Sequence, residues 1–136
     1  GRTRATVIVV DASAVLEILL NTVAAPRVAE HLFAPAETLH APHLLDLEVA
    51  QVIRRYEASG ELDSARGVEA LEDLADLPLI RYPHDIFLPR IWQLRHNATT
   101  YDAAYLALAE ALDASLVTRD GGMATIPGHR ASVILL

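Results

Sequence analysis

The sequence predicts an α/β fold, a three-layer sandwich with a mainly parallel central sheet flanked by helices. Three observations predict it. Short runs of strand character, TVIVV (Thr6 to Val10), LPLIRY (Leu77 to Tyr82), SLVT (Ser115 to Thr118) and ASVILL (Ala131 to Leu136), alternate with longer segments of helical periodicity. The first run is almost continuously apolar and β-branched, as a strand covered on both faces by helices must be. The chain has 136 residues, of which 52% are hydrophobic, enough for one domain with a real core.

Each element has a local reason. After Val10, ASAVLEILLN places Val15, Leu16, Leu19 and Leu20 at helical spacing. Pro26 suits the first turn of a second helix, Arg27 to Phe33, and Pro42 the first turn of a longer one, His43 to Ala58. In that longer helix the apolar stripe is read through Leu45, Val49, Val52 and Tyr56. Gly60 stops it, and Asp63 caps the next, Ser64 to Ala75. Asp85 to Arg95 is helical, with Pro89 in its first turns. Thr99 to Leu112 is a strong helix capped by Thr99 or Thr100, and apolar nearly all round through Ala103 to Leu108, so it is expected to be buried. There is no internal repeat or linker, so residues 1–136 are expected to form one domain. Residues 1–5 are expected to be a disordered or cloning-derived start, since Gly1 stands where Met would.

Composition narrows the chemistry. There is no cysteine, which excludes disulfides and thiolate metal sites and fits a reducing compartment. Asp11 and Glu17 interrupt the best apolar run, so no membrane span is expected. The net charge of −7 argues against a broad basic nucleic-acid face. All eleven basic residues are arginine. Arg54, Arg55, Arg95 and Arg119 are candidates for local phosphate contacts, although most arginines here read as solvated surface. The six histidines show no ligand spacing and read as surface or structural; Trp92 and Tyr56 read as core or dimer packing.

Four acids stand out. Asp11 follows the first strand and Asp120 follows SLVT, so both fall at carboxyl ends of strands, where open α/β sheets hold ligands. Asp11 also reads as an N-cap, a role compatible with a free second oxygen, and Asp120 opens an Asp-Gly-Gly turn sequence. Asp102 begins the apolar helix, where dipole pairing or a Thr99–Asp102 capping box would equally explain it. Glu48 borders the apolar stripe of its helix with no basic residue at i±3 or i±4; alone it reads as a boundary residue. As a set they mean more. Two unit charges about 5 Å apart at an effective dielectric of about 20 repel by roughly 3 kcal/mol. A fold tolerates several such pairs only if a cation neutralises them, and an all-oxygen site suits Mg²⁺ or Mn²⁺ rather than zinc.

VVDASAV, LLDLEVAQVIRR, TTYDAAYLALAEAL and LVTRD, in this order, resemble a PIN domain, and more narrowly a VapC-type toxin of a bacterial toxin–antitoxin pair. The resemblance runs from Val7 to about Leu136. It implies a PIN-like sandwich and a metal-dependent endoribonuclease. The family's acids fall on Asp11, Glu48, Asp102 and Asp120, as catalytic residues and ligands of Mg²⁺, with Mn²⁺ a substitute. Ser13 and Thr118 take supporting roles, and Arg119 is a candidate RNA contact. It further implies hydrolysis of single-stranded loops of tRNA or rRNA to 5′-phosphate and 3′-hydroxyl ends, a homodimer, a cytoplasmic bacterial setting, and a VapB-type antitoxin through which alone DNA is bound.

Other acidic α/β folds fit less well. A phosphoacceptor receiver needs a lysine, and none is present; a haloacid-dehalogenase-type phosphatase wants an acid where Ser13 stands; a P-loop lacks its GKS or GKT. The remaining alternative is a non-catalytic acidic module whose pocket receives a basic partner peptide.

Overall fold

A computed structural model describes residues 6–136; the expectation about residues 1–5 lies outside them. Five strands form one sheet in the order β3-β2-β1-β4-β5, and every pair is parallel. They are β1 (Thr6–Val10), β2 (Glu37–Pro42), β3 (Leu79–Tyr82), β4 (Ser115–Thr118) and β5 (Ser132–Leu135). Helices α1 (Ala12–Leu19), α2 (Ala25–Leu32), α3 (Leu44–Ala58), α4 (Ser64–Asp76), α5 (Leu88–Gln93), α6 (Thr100–Leu112) and the single turn α7 (Gly121–Ala124) make up the outer layers of the sandwich.

Parallel neighbours require crossover connections, and the helices supply them. The most buried helix is α6: Ala103 through Ala109 are all buried, and it packs on β1, β2 and β4. Its alanines let it lie close to the sheet, while Leu106 and Leu108 fill the space between. Thr99 caps it by accepting from the Asp102 amide at 3.1 Å, and Asp113 ends it in the left-handed region at φ 50°, which Asp tolerates better than most residues.

Strand β2 is absent from the sequence expectations. ETLHAP carries a glutamate, a histidine and a proline, and no β-branched run marks it. It forms because β1 and β3 pair with it on either side. His40, buried in its middle, is satisfied by Thr38 Oγ1 at 2.9 Å and Tyr82 Oη at 2.6 Å, a structural histidine as expected. Pro42 therefore ends a strand instead of opening a helix. The expected helix over 85–95 divides into a 3-10 turn, Asp85–Phe87, and α5, because Pro89 supplies no amide to the turn before it.

The expected stripe of α3 also shifts. Leu45, Val49 and Ile53 are buried, Val52 is partly covered, and Tyr56 is exposed. Trp92 is likewise exposed, with Arg95 stacked 4.7 Å above its ring, so neither aromatic belongs to the core.

Strand order decides where the fold can act. The chain leaves β1 towards β2 on one side and reaches β4 on the other, so β1 and β4 flank a topological switch point. Asp11 and Asp120 emerge beside it.

The side-chain assignment of α3 is testable. Leu45→Ala should cost about 2–5 kcal/mol in urea unfolding, as for a fully buried leucine, whereas Leu47→Ala, at 76% exposure, should stay within about 0.5 kcal/mol.

Candidate active site

Asp11 follows β1 directly. Its amide donates to the Val117 carbonyl of β4 at 3.3 Å, continuing the β1–β4 ladder past the strand end. Its side chain is turned inward and 4% exposed. Oδ1 accepts from Ser13 Oγ at 2.6 Å and from the Ala14 amide at 3.2 Å, so Asp11 is indeed the N-cap of α1. Oδ2 accepts from the fully buried hydroxyl of Thr118. Burial pushes the Asp11 carboxyl above the usual carboxylate range, and the bonds from Ser13, Thr118 and Ala14 pull it partly back.

The two hydroxyls also reach the fourth acid. Thr118 Oγ1 accepts from the Asp120 amide at 2.9 Å, and Ser13 Oγ from the Arg119 amide at 2.9 Å. The loop after β4 is thus tied to the end of β1 through the same two oxygens that hold Asp11. Asp120 itself is exposed and caps α7, its Oδ1 accepting from the Gly122 amide at 2.9 Å. The Asp-Gly-Gly turn and the acid beside the crevice are therefore one feature.

Glu48 is partly covered on α3, and Tyr105 of α6 donates to its Oε1 at 2.6 Å. Tyr105 is buried, and its phenol is held strongly protonated by burial and by Glu48, which keeps it a donor. Sequence reasoning missed this residue. Its signal is the three-residue step from Asp102, which puts a polar tip on the same side of α6 as the acid. Burial raises the Glu48 carboxyl, and Asp102 and Asp11 raise it further. Asp102 is raised by burial, then by Asp120 and Asp11.

At one end of the sheet, Asp11 after β1, Glu48 on α3 and Asp102 on α6 therefore each feel the charge of other acids in the set, with Asp120 of the loop after β4 acting on Asp11 and Asp102. They do not form a finished cage: among the described residues, no group of three or more acidic or histidine side chains is arranged to hold a metal ion as it stands. Repulsion spreads like charges, and Asp11 and Asp120 spend oxygens on protein donors. The donor set nonetheless fits a hard divalent cation. It is all carboxylate and hydroxyl oxygen, partly desolvated, and carries negative charge that a cation would relieve.

The PIN domain model matches residues 8–128, a span that includes all four acids. This chain belongs to the PIN-domain family. It is 48% identical over 113 residues to VapC ribonuclease Mb0985 of Mycobacterium bovis, covering 83% of this chain and 85% of that one. It is 44% identical over 132 residues to ribonuclease VapC1 of Mycobacterium tuberculosis, covering 94% and 96%. The fold resembles the crystal structure of VapBC2 from Rickettsia felis bound to a promoter DNA fragment, with a TM-score of 0.72 at 12% identity over 96% of this chain and 99% of that one.

Raised carboxyls make a signed prediction. A group whose folded pKa lies above its unfolded value favours the fold below the unfolded pKa and loses that advantage as pH rises through the folded one. Glu48→Gln keeps an oxygen for Tyr105 and removes the charge. Thermal unfolding should show the variant more stable than wild type at pH 7–8, by about 1 kcal/mol or less after solvent screening. The gain should vanish as pH falls through the raised Glu48 pKa. Equal stability at every pH would show that neither burial nor the charges of Asp102 and Asp11 raise Glu48.

Proposed function

We propose that this chain is a metal-dependent endoribonuclease and the toxin of a toxin–antitoxin pair. The observation that carries the proposal is the gathering of Asp11, Glu48 and Asp102, each raised by burial and by neighbouring acids, with Asp120 beside them, in a chain of the PIN-domain family. Named ribonuclease relatives at 44–48% identity support it. Asp11 and Asp102 would hold Mg²⁺, with Mn²⁺ a substitute, and Glu48 and Asp120 would complete the shell directly or through water. When bound, the ion supplies a water of lowered pKa and positive charge against the phosphate.

The protein's own contributions follow from the bonds described. Ser13 and Thr118 fix both Asp11 oxygens, so this carboxylate presents one direction and does not reorganise during the reaction. Tyr105 occupies Oε1 of Glu48, which leaves Oε2 to orient the attacking water and take its proton. Hydrolysis joins the water oxygen to phosphorus and breaks the bond to the 3′ oxygen, which takes a proton from solvent water as it leaves, while Glu48 afterwards returns its proton to solvent. The products are 5′-phosphate and 3′-hydroxyl ends.

The substrate would be an exposed single-stranded loop of tRNA or rRNA, because a duplex does not readily reach acids recessed at the carboxyl end of the inner strands. The acidic crevice and net charge of −7 suit inhibition by a VapB-type antitoxin carrying a basic segment, with DNA bound through that partner. The homodimer and the cytoplasmic setting belong to the same reading.

Total bacterial RNA incubated with the purified chain should give discrete bands with Mg²⁺ or Mn²⁺ and none with EDTA. Asp11→Asn and Asp102→Asn should each lose more than about a hundredfold in cleavage with the fold intact, and Thr118→Val about 10–100-fold. A folded protein that cleaves nothing under either metal would favour the acidic module that receives a basic peptide. Mg²⁺ should also raise the wild-type melting temperature more than that of Asp11→Asn, since only a bound ion stabilises the native state.

A further inference from the structure

A polyanion approaching this site meets four carboxylates on a chain of net charge −7. Something positive has to receive it. Two clefts open beside the acids. One, of about 560 Å³, includes Ser13, Glu48 and Tyr101 in its lining; the other, of about 480 Å³, includes Ser13, Glu17, Arg119 and Asp120. Arg55 lines both, so it stands where they join.

Its place on α3 fits a particular task. Glu48, Val52 and Arg55 follow i, i+4 and i+7 spacing, one stripe of the helix. Seven residues correspond to about 10 Å along the helix axis. Arg55 therefore lies on the same face of α3 as Glu48, about two helical turns further along.

Arg55 is also uncommitted. Arg66, Arg81, Arg90, Arg95, Arg119 and Arg130 each donate to a carbonyl or a carboxylate. Among the described residues the exposed Arg55 side chain has no hydrogen bond or salt bridge, although Glu17 and Asp120 line the same cleft. Arg27 and Arg54 are similarly unbonded but line neither cleft. Arg119, in contrast, is braced: Nη1 donates to the Leu136 carbonyl at 2.9 Å, and Nε lies 4.0 Å from Glu17.

We propose that Arg55, with Arg119 also lining the cleft, forms a track for the phosphodiester backbone of single-stranded RNA, so that Arg55 is a substrate-positioning residue next to the cut. The inference rests on the ribonuclease reading. Arginine suits the task because its planar fork meets two phosphate oxygens at once.

The test measures binding separately from cleavage. In an Asp11→Asn background with Mg²⁺, a fluorescently labelled single-stranded RNA pool is titrated at several salt concentrations, with and without Arg55→Ala. The expected result is a roughly tenfold weaker Kd, the loss of one charge-assisted contact. The salt slope should fall by about 0.7, one phosphate contact on a single strand. In the otherwise native chain Arg55→Ala should raise KM with kcat nearly unchanged and leave the melting temperature alone; Arg55→Lys should keep the salt slope. Equal Kd and slope for Arg55→Ala, with the Asp11→Asn parent binding RNA well, would overturn the track and leave the ribonuclease reading standing. A fall in kcat alone would overturn the positioning role. No RNA bound by the parent at low salt would overturn both.

Discussion

Asp11 is an ionisable carboxyl taken almost wholly out of water, and much of the neighbouring chain is arranged to tolerate it. An isolated buried charge of this kind would be protonated or would destabilise the fold. Here three donors from two elements converge on its two oxygens. That convergence depends on the β1–β4 register: Val10 pairs with Val117, which brings residue 118 alongside residue 11. A slip of one residue would turn Thr118 to the opposite face and leave Oδ2 without a donor. The requirement to satisfy one carboxylate thus fixes the pairing of two strands and, through Ser13 and Thr118, the path of the loop beyond them.

The other three acids add repulsion to that arrangement. Burial and mutual charge raise Glu48 and Asp102 as well as Asp11. The aliphatic core, β1 and β4 between helices and α6 across three strands, contributes the stability that offsets this. Elsewhere charge is arranged in the opposite sense. Glu110, near the far end of α6, is held below its usual range by Arg90, whose Nε and Nη2 donate at 2.8 and 3.0 Å, and by the Arg130 amide. One helix carries a strained acid at its N-terminal end and a satisfied one near its C-terminal end. That contrast separates a site from a structural ion pair.

Much of this was legible in the residues. Apolar runs and caps mark β1, α1, α6 and β4, and the position of an acid just past a strand marks Asp11. Asp102 and Glu48 were legible only as members of a set, because each has an ordinary local explanation; even in the structure Asp102 sits in a capped first turn. What the sequence hid is what depends on contacts between distant elements. Strand β2 forms because neighbouring strands demand it, against its own composition. Tyr105 reads as one more apolar position until α3 brings Glu48 to its hydroxyl. The covered face of α3 was misplaced beyond Val49 because a helix of mixed hydropathy offers two stripes, and its packing on α1, α4 and β2 decides which one is covered.

The pairing of a buried hydroxyl–carboxylate core with exposed side chains on α3 has an evolutionary consequence. Side chains such as Arg55 and Leu47 can be exchanged at almost no folding cost, since substitutions at solvated positions away from special features change stability little. Ser13, Thr118 and Tyr105 have no such freedom, because each is committed to an acid. Gene duplicates built on this plan would keep one reaction and drift in target, each copy exploring new recognition surfaces without first acquiring spare stability.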